Sequence, residues 1–408
     1  MASVERNSSE SMSHINGIEL RSQLLTWYRA NQRSLPWRAT RDPYAIWVSE
    51  IMLQQTRASV VAEHYRSFME RFPTLSSLAE AADQDVLAQW SGLGYYNRAR
   101  FLHKAARFVV NELKGELPKT AVELRTLPGI GVYTAAAIAS IAHGEPVAVV
   151  DGNVERVLAR LVGLELTGKS AQRRQIEVLA NFFVDIESPG DFNQAMMELG
   201  ATVCLPRNPS CALCPIVTHC LIRGEHTSPP RPRMTSKEVG YALVTRLRYE
   251  PVQRVEGNGD ALSEATDEAI GEAMELKQAK PPKPSRRKKP AASLDTFLHR
   301  EILLEQRPET QTVMPGLWEL PSLIRSSVPD EELQMALRHA IMQVNYYVHI
   351  RSVLEPEVDS LTVNGGERRW VRVGELSTMA LTGLARKVLK RAHLIPGTGS
   401  ILHPPTLM

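Results

Sequence analysis

Apolar residues between positions 18 and 225 recur at spacings of three and four, as in "ELRSQLLTWYRA" and "VERVLARL". This period is typical of helices that bury one face, and the alternation expected of a half-buried strand is scarce in this region. The pattern therefore predicts that residues 18–225 form an all-helical domain.

The pattern changes after residues 226–237, a proline-rich basic segment that we interpret as a linker. Residues 240–250 and 345–355 have the composition of strands, whereas residues 330–342 have the spacing of a helix. Residues 238–408 are therefore predicted to form a second domain of the α+β class.

Two segments contain too few apolar residues to form a core. Residues 1–17 are polar, and residues 254–293 include the basic run "KPPKPSRRKKP". Such composition cannot bury enough apolar surface to offset the entropy lost on ordering. We predict a disordered N-terminus and a flexible insertion between two strands of the second domain.

The whole-chain properties exclude few functions. A length of 408 residues suits two or three domains, and a net charge of +3 does not by itself indicate nucleic-acid binding. The sequence contains no run of 18 apolar residues, and its first residues lack the apolar core of a secretion signal. We therefore expect a cytoplasmic protein with no membrane partner.

Two carboxyl groups have contrasting surroundings. Glu50 lies in a helix predicted to begin after Asp42, with apolar neighbours at three of its four nearest helical positions, so burial should raise its pKa. Asp151 precedes another helix, where the helix N-terminus favours a negative charge. One protonated and one ionised carboxyl is the arrangement that glycosidic bond cleavage requires. Taken alone, Glu50 could instead lie at the edge of an apolar stripe with its carboxyl in water, and Asp151 is in any case an ordinary N-cap.

The segment "LPGIGVYTAAAIAS" places two glycines directly before a helix that should start near Val132. Gly129 and Gly131 can take positive φ and allow close approach of another backbone. The free N–H groups of the helix would then form a phosphate-binding nest. A plain connection between two helices is the alternative.

All four cysteines lie within 17 residues, with the spacing C-x6-C-x2-C-x5-C: Cys204, Cys211, Cys214 and Cys220. Four thiolates this close in sequence can converge on one metal centre, either zinc or a [4Fe–4S] cluster. The spacing leaves both open, and it favours a structural role over redox catalysis.

These segments together resemble the adenine DNA glycosylases of the helix-hairpin-helix superfamily. The likeness covers essentially all of residues 20–225, in the order of the family. It is carried by "LPWR", "DPYAIWVSEIMLQQTR", "GLGYYNRAR", "LPGIGVYTA", "VVDGNVERVLAR", "FNQAMMELGA" and the cysteine spacing. The resemblance implies two helical lobes with DNA and an extruded base in the cleft between them, and removal of adenine mispaired with 8-oxoguanine or guanine.

The resemblance also assigns roles to individual residues. Glu50 matches the acid that protonates the departing adenine, and Asp151 matches the carboxylate that stabilises or transiently bonds the sugar C1′. The remaining matches line the adenine pocket, enter the duplex, bind phosphate or hold a [4Fe–4S] cluster. The adenine pocket matches Asn153, Tyr133, Arg38 and Glu198, and the residues that enter the duplex match Gln55 and Tyr95. The phosphate-binding turn matches Gly129 and Gly131. The cluster ligands match Cys204, Cys211, Cys214 and Cys220.

Tyr133 stands where related bifunctional glycosylases have a lysine that attacks C1′ and leads to strand cleavage. A phenol has no free amine and cannot form an imine. The resemblance therefore implies a monofunctional enzyme, which we expect to act as a monomer on double-stranded DNA. Another helix-hairpin-helix glycosylase, of the thymine-mismatch or oxidised-pyrimidine type, and a non-catalytic damage binder are the competing hypotheses.

The second domain resembles the Nudix-like module with which this family inspects the opposite base, chiefly over residues 301–322. It lacks an REx2E pattern, so we expect no pyrophosphatase activity. Many members have a Phe-Ser-His turn soon after an Arg-His pair. Here that turn aligns with Ile341, Met342 and Gln343, so neither the serine hydroxyl nor the imidazole is present.

Overall fold

The computed structural model describes residues 15–165, 170–224, 233–248, 300–311, 313–323, 328–341, 343–361 and 366–395. The predicted insertion 254–293 and nearly all of the predicted N-terminal tail lie outside these residues. The prediction of an all-helical first half is confirmed. Its helices are α1 (Gly17–Asn31), α2 (Pro43–Leu53), α3 (Ala58–Arg71), α4 (Leu75–Glu80), α5 (Asp83–Gln89), α6 (Asn97–Glu112), α7 (Ala121–Leu124), α8 (Val132–His143), α9 (Gly152–Leu161), α10 (Ser170–Phe183) and α11 (Pro189–Thr202).

The helices form two lobes, each with its own hydrophobic core. Helices α2 to α8 pack around one core, in which Trp47, Phe68 and Trp90 are fully buried. Helices α1 and α9 to α11 pack around the other, against which three of the cysteines lie. Asp42 caps α2 by accepting a hydrogen bond from the Tyr44 amide at 3.1 Å, as the sequence predicts.

The described part of the second domain contains a mixed sheet and one α-helix. Its strands are β1 (Thr235–Leu247), β2 (Arg300–Gln306), β3 (Trp318–Glu319), β4 (Leu333–Ile341), β5 (Val344–Val353) and β6 (Arg368–Arg372), and its helix is α12 (Gly383–Arg391). The strand order is β3-β2-β1-β5-β4, with β6 also paired to β2. Strand β1 runs parallel to β5 and antiparallel to β2, in the register Thr245 opposite Ile302. Helix α12 packs on one face of this sheet through Leu384 and Val388.

The prediction of a helix over residues 330–342 is wrong, because this segment forms strand β4. Its side chains alternate between partly buried and exposed, with Met335, Leu337 and His339 on the more buried side. Ala336 and Ala340 lie on the exposed side. Strand β1 begins at Thr235, earlier than the predicted strand and inside the predicted linker. None of the helices in the described part of the chain has the length and apolar character needed to span a bilayer.

Candidate active site

Glu50 is buried in the middle of α2, with only 4% of its surface exposed. Every residue of α2 from Tyr44 to Met52 is buried, so the carboxyl has no direct access to bulk water. The Tyr133 hydroxyl donates a hydrogen bond to Glu50 Oε2 at 2.7 Å. Burial raises the pKa of Glu50 to about 7, nearby Asp151 adds to the rise, and the Tyr133 hydrogen bond opposes it. A substantial fraction of Glu50 is therefore protonated at neutral pH.

Asp151 is the N-cap of α9 and faces the same site. Its Oδ1 accepts hydrogen bonds from the amides of Asn153 and Val154, and its Oδ2 accepts one from the Asn153 side chain, each at 2.8 Å. These three donors and the helix N-terminus stabilise the negative charge. Asp151 raises the pKa values of both Glu50 and Tyr133, so all three groups lie within electrostatic reach of one another.

Tyr133 lies in the first turn of α8 and joins the two lobes at the site. Its hydroxyl contacts Glu50 of the first lobe and lies 3.4 Å from Met197 Sδ on α11. Burial raises the pKa of Tyr133 well above its usual value, and the two nearby carboxyls add to this. The phenol therefore stays neutral and acts as a hydrogen-bond donor.

The turn before α8 depends on one glycine rather than two. Gly129 has a φ of 77°, and a Cβ atom there would lie 2.5 Å from Phe101 Cβ. Gly131 has a φ of −88°, so the prediction of a positive φ is wrong at this position. Gly131 is the N-cap of α8, and a Cβ atom there would meet no described atom within 4 Å. This leaves the backbone at the helix N-terminus open to a ligand.

Arg38 and Glu198 bind each other beside the site. Glu198 is 1% exposed, and its two oxygens accept hydrogen bonds at 2.7 Å from Arg33 and Arg38. Burial alone would raise the pKa of Glu198, but these hydrogen bonds outweigh it and lower the pKa to about 2. Arg33 was missed by the sequence reasoning, although it lies only two residues before the quoted segment "LPWR".

Gln55 and Tyr95 lie on two adjacent loops and share an unusual backbone conformation. Their φ values are 57° and 46°, in the left-handed region that costs an ordinary residue about 1–2 kcal/mol. Tyr95 is 41% exposed although it is a large aromatic residue. Both residues line a cavity of about 640 Å³, whose opposite wall comes from the second domain and includes Met314 and His339.

The four cysteines follow α11 and lie close to one another, and each is partly buried. Burial raises the pKa of the Cys214 thiol to about 11, and the other three thiols add to the rise. Arg160 of α9 lies 3.2 Å from Cys204 Sγ and donates to the carbonyls of Leu205 and Pro206. Within the described ranges, no three potential ligands converge on a position where a single metal ion could be held.

Arg156 connects the cysteine loop to Asp151, and the sequence reasoning did not identify it. It donates hydrogen bonds to the Cys204 carbonyl at 2.9 Å, to the Gly200 carbonyl at 2.8 Å and to Asn153 Oδ1 at 2.9 Å. The last of these holds the amide whose nitrogen donates to Asp151. Its position three residues after Asn153, on the same face of α9, is the sequence signal that identifies it.

Comparison with known proteins identifies one superfamily and several relatives. Residues 48–181 match the HhH-GPD superfamily of base excision DNA repair proteins. Adenine DNA glycosylase of Homo sapiens is 37% identical over 412 residues, which span 91% of this chain and 73% of the human protein. The Mus musculus adenine DNA glycosylase is 34% identical, over 91% of this chain and 77% of its own length. A solved thermostable thymine-DNA glycosylase covers 50% of this chain and 95% of its own, at 31% identity and a TM-score of 0.45.

The helical fold and the superfamily match define a DNA glycosylase of the base-excision repair class. Two relatives are more than 30% identical, and the match spans over two thirds of each of them. The chain belongs to the adenine DNA glycosylase family.

Proposed function

We propose that this protein hydrolyses the N-glycosidic bond of adenine mispaired with 8-oxoguanine or guanine in double-stranded DNA. The observation that carries the proposal is the buried Glu50, with a pKa of about 7 and a hydrogen bond from Tyr133, beside the capped Asp151. A proton donor and a fixed negative charge are the two groups needed to cleave a glycosidic bond through an oxocarbenium-like sugar.

Each carboxyl has one role in the proposed mechanism. Glu50 gives its proton to the adenine as the C1′–N bond breaks, so the base leaves as a neutral species. Asp151 stabilises the positive charge that develops at C1′, or bonds to it transiently. Water then adds its oxygen to C1′ and releases a proton, which leaves an abasic sugar and regenerates the enzyme.

Tyr133 gives the reaction its monofunctional character. Strand cleavage by related enzymes needs an amine that forms an imine with C1′, and the Tyr133 phenol cannot form one. Its hydroxyl instead donates to Glu50 at 2.7 Å. The protein should therefore release adenine and leave the DNA strand intact.

Other residues bind the DNA around the reacting nucleotide. Arg38, Glu198 and Asn153 form the polar surroundings of the adenine pocket. Gln55 and Tyr95 enter the duplex beside the purine left behind, where an aromatic ring partly replaces the lost stacking. The backbone amides that follow Gly129 and Gly131 bind a DNA phosphate. These roles rest on the family likeness and on the positions of the side chains.

Cys204, Cys211, Cys214 and Cys220 would hold a [4Fe–4S] cluster. Zinc held by four thiolates at ~2.3 Å needs all four sulfurs around one point, whereas each thiolate of a cluster binds a different iron. The proximity of the four thiols, each within electrostatic reach of Cys214, supports a shared centre, and the family likeness favours the cluster. When bound, it would supply structural cross-linking of the loop, and the glycosidase chemistry stays with Glu50 and Asp151.

The second domain is proposed to be a Nudix-like module that inspects the opposite base. The end of strand β4, which leads into the β4–β5 hairpin, forms part of one wall of the cavity that Gln55 and Tyr95 line. The aligned Phe-Ser-His turn falls at the tip of this hairpin, where Met342 lies outside the described residues. Because serine and histidine are absent there, we expect a weaker preference for 8-oxoguanine over guanine than in members that contain them.

The test is single-turnover base release from A:8-oxoguanine, A:G and T:G duplexes, with and without alkali. Wild-type protein should release only adenine, and the strand should break only after alkaline treatment. Glu50→Gln should slow release by ~10²–10⁴-fold while DNA binding persists, because the general acid is lost. Glu63→Gln, a change at an exposed glutamate of α3, is the matched control. Release of thymine, or near wild-type turnover by Glu50→Gln, would contradict the proposal.

A further inference from the structure

Two loops meet near Arg98: the Gln55 loop, which follows α2, and the Tyr95 loop, which precedes α6. Among the described residues, only Arg98, in the first turn of α6, has a side chain that donates hydrogen bonds to both loops. On the Gln55 side its acceptors are the carbonyls of Ile51 (2.7 Å), Met52 (3.0 Å) and Gln54, and the Thr56 hydroxyl (3.3 Å). On the Tyr95 side they are the carbonyls of Leu93 (3.1 Å) and Gly94 (3.2 Å).

These acceptors surround the two left-handed residues. Gln54 and Thr56 are the immediate neighbours of Gln55, and Leu93 and Gly94 directly precede Tyr95. The guanidinium also lies over the Tyr95 ring, 5.7 Å from its centroid. A non-glycine residue keeps positive φ only where its surroundings hold it there, and at both loops those surroundings include the same cation.

The guanidinium is also well placed to bind the end of α2. The carbonyls of Ile51, Met52 and Gln54 lie at the C-terminus of that helix, where the aligned peptide dipoles favour a positive charge. With both terminal nitrogens committed to protein oxygens, Arg98 has little capacity left for a DNA phosphate. Arg98 should therefore support DNA binding by holding the two loops in position, and not by an ion pair with a phosphate.

We propose that Arg98 is a positioning residue that holds Gln55 and Tyr95 together in the left-handed conformations from which they enter the duplex. This inference rests on the proposed insertion of those two residues. Through Arg98 the two loops are held in one arrangement, so base extrusion depends on a side chain that acts by positioning Gln55 and Tyr95.

The experiment compares Arg98→Met and Arg98→Lys with a control on the same helix. Arg107 also donates to backbone carbonyls, those of Ala79 and Ala81, but these lie away from the Gln55 and Tyr95 loops. Arg107→Met therefore shows the effect of removing an arginine on the same helix whose side chain also donates to backbone carbonyls. A duplex with 2-aminopurine at the target position reports extrusion by a rise in fluorescence, and single-turnover rates at saturating enzyme report the chemistry.

Arg98→Met should lower the single-turnover rate by about tenfold or more and remove most of the fluorescence rise, because the stacking by Tyr95 is lost. The loss should be several-fold smaller when the adenine lies opposite an abasic site, where no base pair needs to be broken. The slope of log affinity against log salt should stay unchanged, since loss of a phosphate contact would reduce it by about one. Arg107→Met should match the wild type in all three measurements.

Three results would overturn the inference: wild-type extrusion by Arg98→Met, an equal loss on both duplexes, or a reduced salt slope. If Arg98→Met does not fold, the same readouts apply to Arg98→Lys, which keeps the charge but cannot reach both loops. Gln55→Ala and Tyr95→Ala separate this inference from the proposed function. If both variants extrude the base like the wild type, the proposed insertion of Gln55 and Tyr95 is itself wrong. If both variants lose extrusion but Arg98→Met does not, only the role of Arg98 is rejected.

Discussion

Glu50 and Asp151 are both acidic side chains, yet their positions on helices give them opposite preferences for a proton. Glu50 lies in the middle of a buried helix, where the backbone amides are already hydrogen-bonded and desolvation disfavours the charge. Asp151 lies at a helix N-terminus, where free amides bind its oxygens. The division into acid and cation stabiliser therefore follows from local backbone position.

The hydroxyl of Tyr133 should set the pH range in which Glu50 remains an acid. Its hydrogen bond stabilises the carboxylate and lowers a pKa that burial raises to about 7. Tyr133→Phe removes that hydrogen bond, so the pKa of Glu50 rises and the protonated, active form persists to higher pH. The alkaline limb of the single-turnover rate for adenine release, measured from pH 5 to pH 9, should therefore move to higher pH.

Tyr44→Phe is the matched control for this prediction. Tyr44 is another buried tyrosine, but its hydroxyl donates to the Phe72 carbonyl at 2.8 Å and not to a carboxyl. Its removal should leave the alkaline limb in place. A limb that moves to lower pH in Tyr133→Phe would contradict the hydrogen-bond argument.

At the scale of elements, the cysteine loop shows how a segment with little regular structure is held. After α11 it contains only two short 3₁₀ turns, Cys211–Leu213 and Val217–His219. Arg160 binds three of its acceptors, and the amides of Leu221 and Ile222 donate to carbonyls at the end of α9. The loop thus depends on α9, the helix that Asp151 caps.

The proposed cluster predicts a brown protein when it is purified without oxygen. Absorbance should be broad near ~400 nm, with roughly four irons per chain, as thiolate-bound clusters have. Cys204→Ser, Cys211→Ser or Cys214→Ser should reduce the soluble yield, because losing a ligand releases a long loop. Ser210→Ala, a change in the same loop outside the ligand set, should leave the iron content unaltered. Stoichiometric zinc without iron would reject the assignment.

At the scale of the whole molecule, the second domain packs against the first domain beside the Tyr95 loop. Leu317 and Ala380 are buried among the apolar residues of the first lobe. The Leu381 carbonyl accepts hydrogen bonds from Ser91 at 3.0 Å and from Tyr96 at 2.8 Å, on either side of the loop that contains Tyr95. The second domain therefore contacts both flanks of the segment that contains Tyr95, one of the two residues proposed to enter the duplex.

His339 is the polar side chain of β4 that lines the shared cavity, and it tests whether that cavity reads the opposite base. His339→Ala should reduce the ratio of single-turnover rates for A:8-oxoguanine over A:G by about fivefold, the effect of one hydrogen bond. His393→Ala, a change at an exposed histidine outside the cavity, should leave the ratio unchanged. Deleting residues 238–408 should lower the preference further while leaving some adenine release from A:G. An unchanged ratio in both the truncated protein and His339→Ala would show that this domain does not inspect the base.

Local features of the site could be predicted from the sequence because they depend on residues only a few positions apart. The Asp42 and Asp151 caps and the start of α8 at Val132 follow from local capping and helical spacing. Local spacing cannot decide between a helix and a strand when a short segment fits both the helical period and the alternation of a strand. Residues 333–341 have alternating apolar positions and two alanines, and pairing with β5 decided in favour of a strand.

The sequence by itself determined the two-domain organisation, the all-helical first half and the residue types of the site, since helical period and capping are short-range properties. Only the tertiary structure decided which of these residues meet. Tyr133 reaches Glu50 across 83 positions, Arg98 reaches the end of α2 across 44 to 47 positions, and Tyr96 reaches Leu381 across 285 positions. Such contacts depend on how whole helices and the sheet pack, because chain distance places no limit on which buried polar groups become neighbours. The same packing set the pKa of Glu50, since desolvation requires surrounding elements that no local pattern specifies.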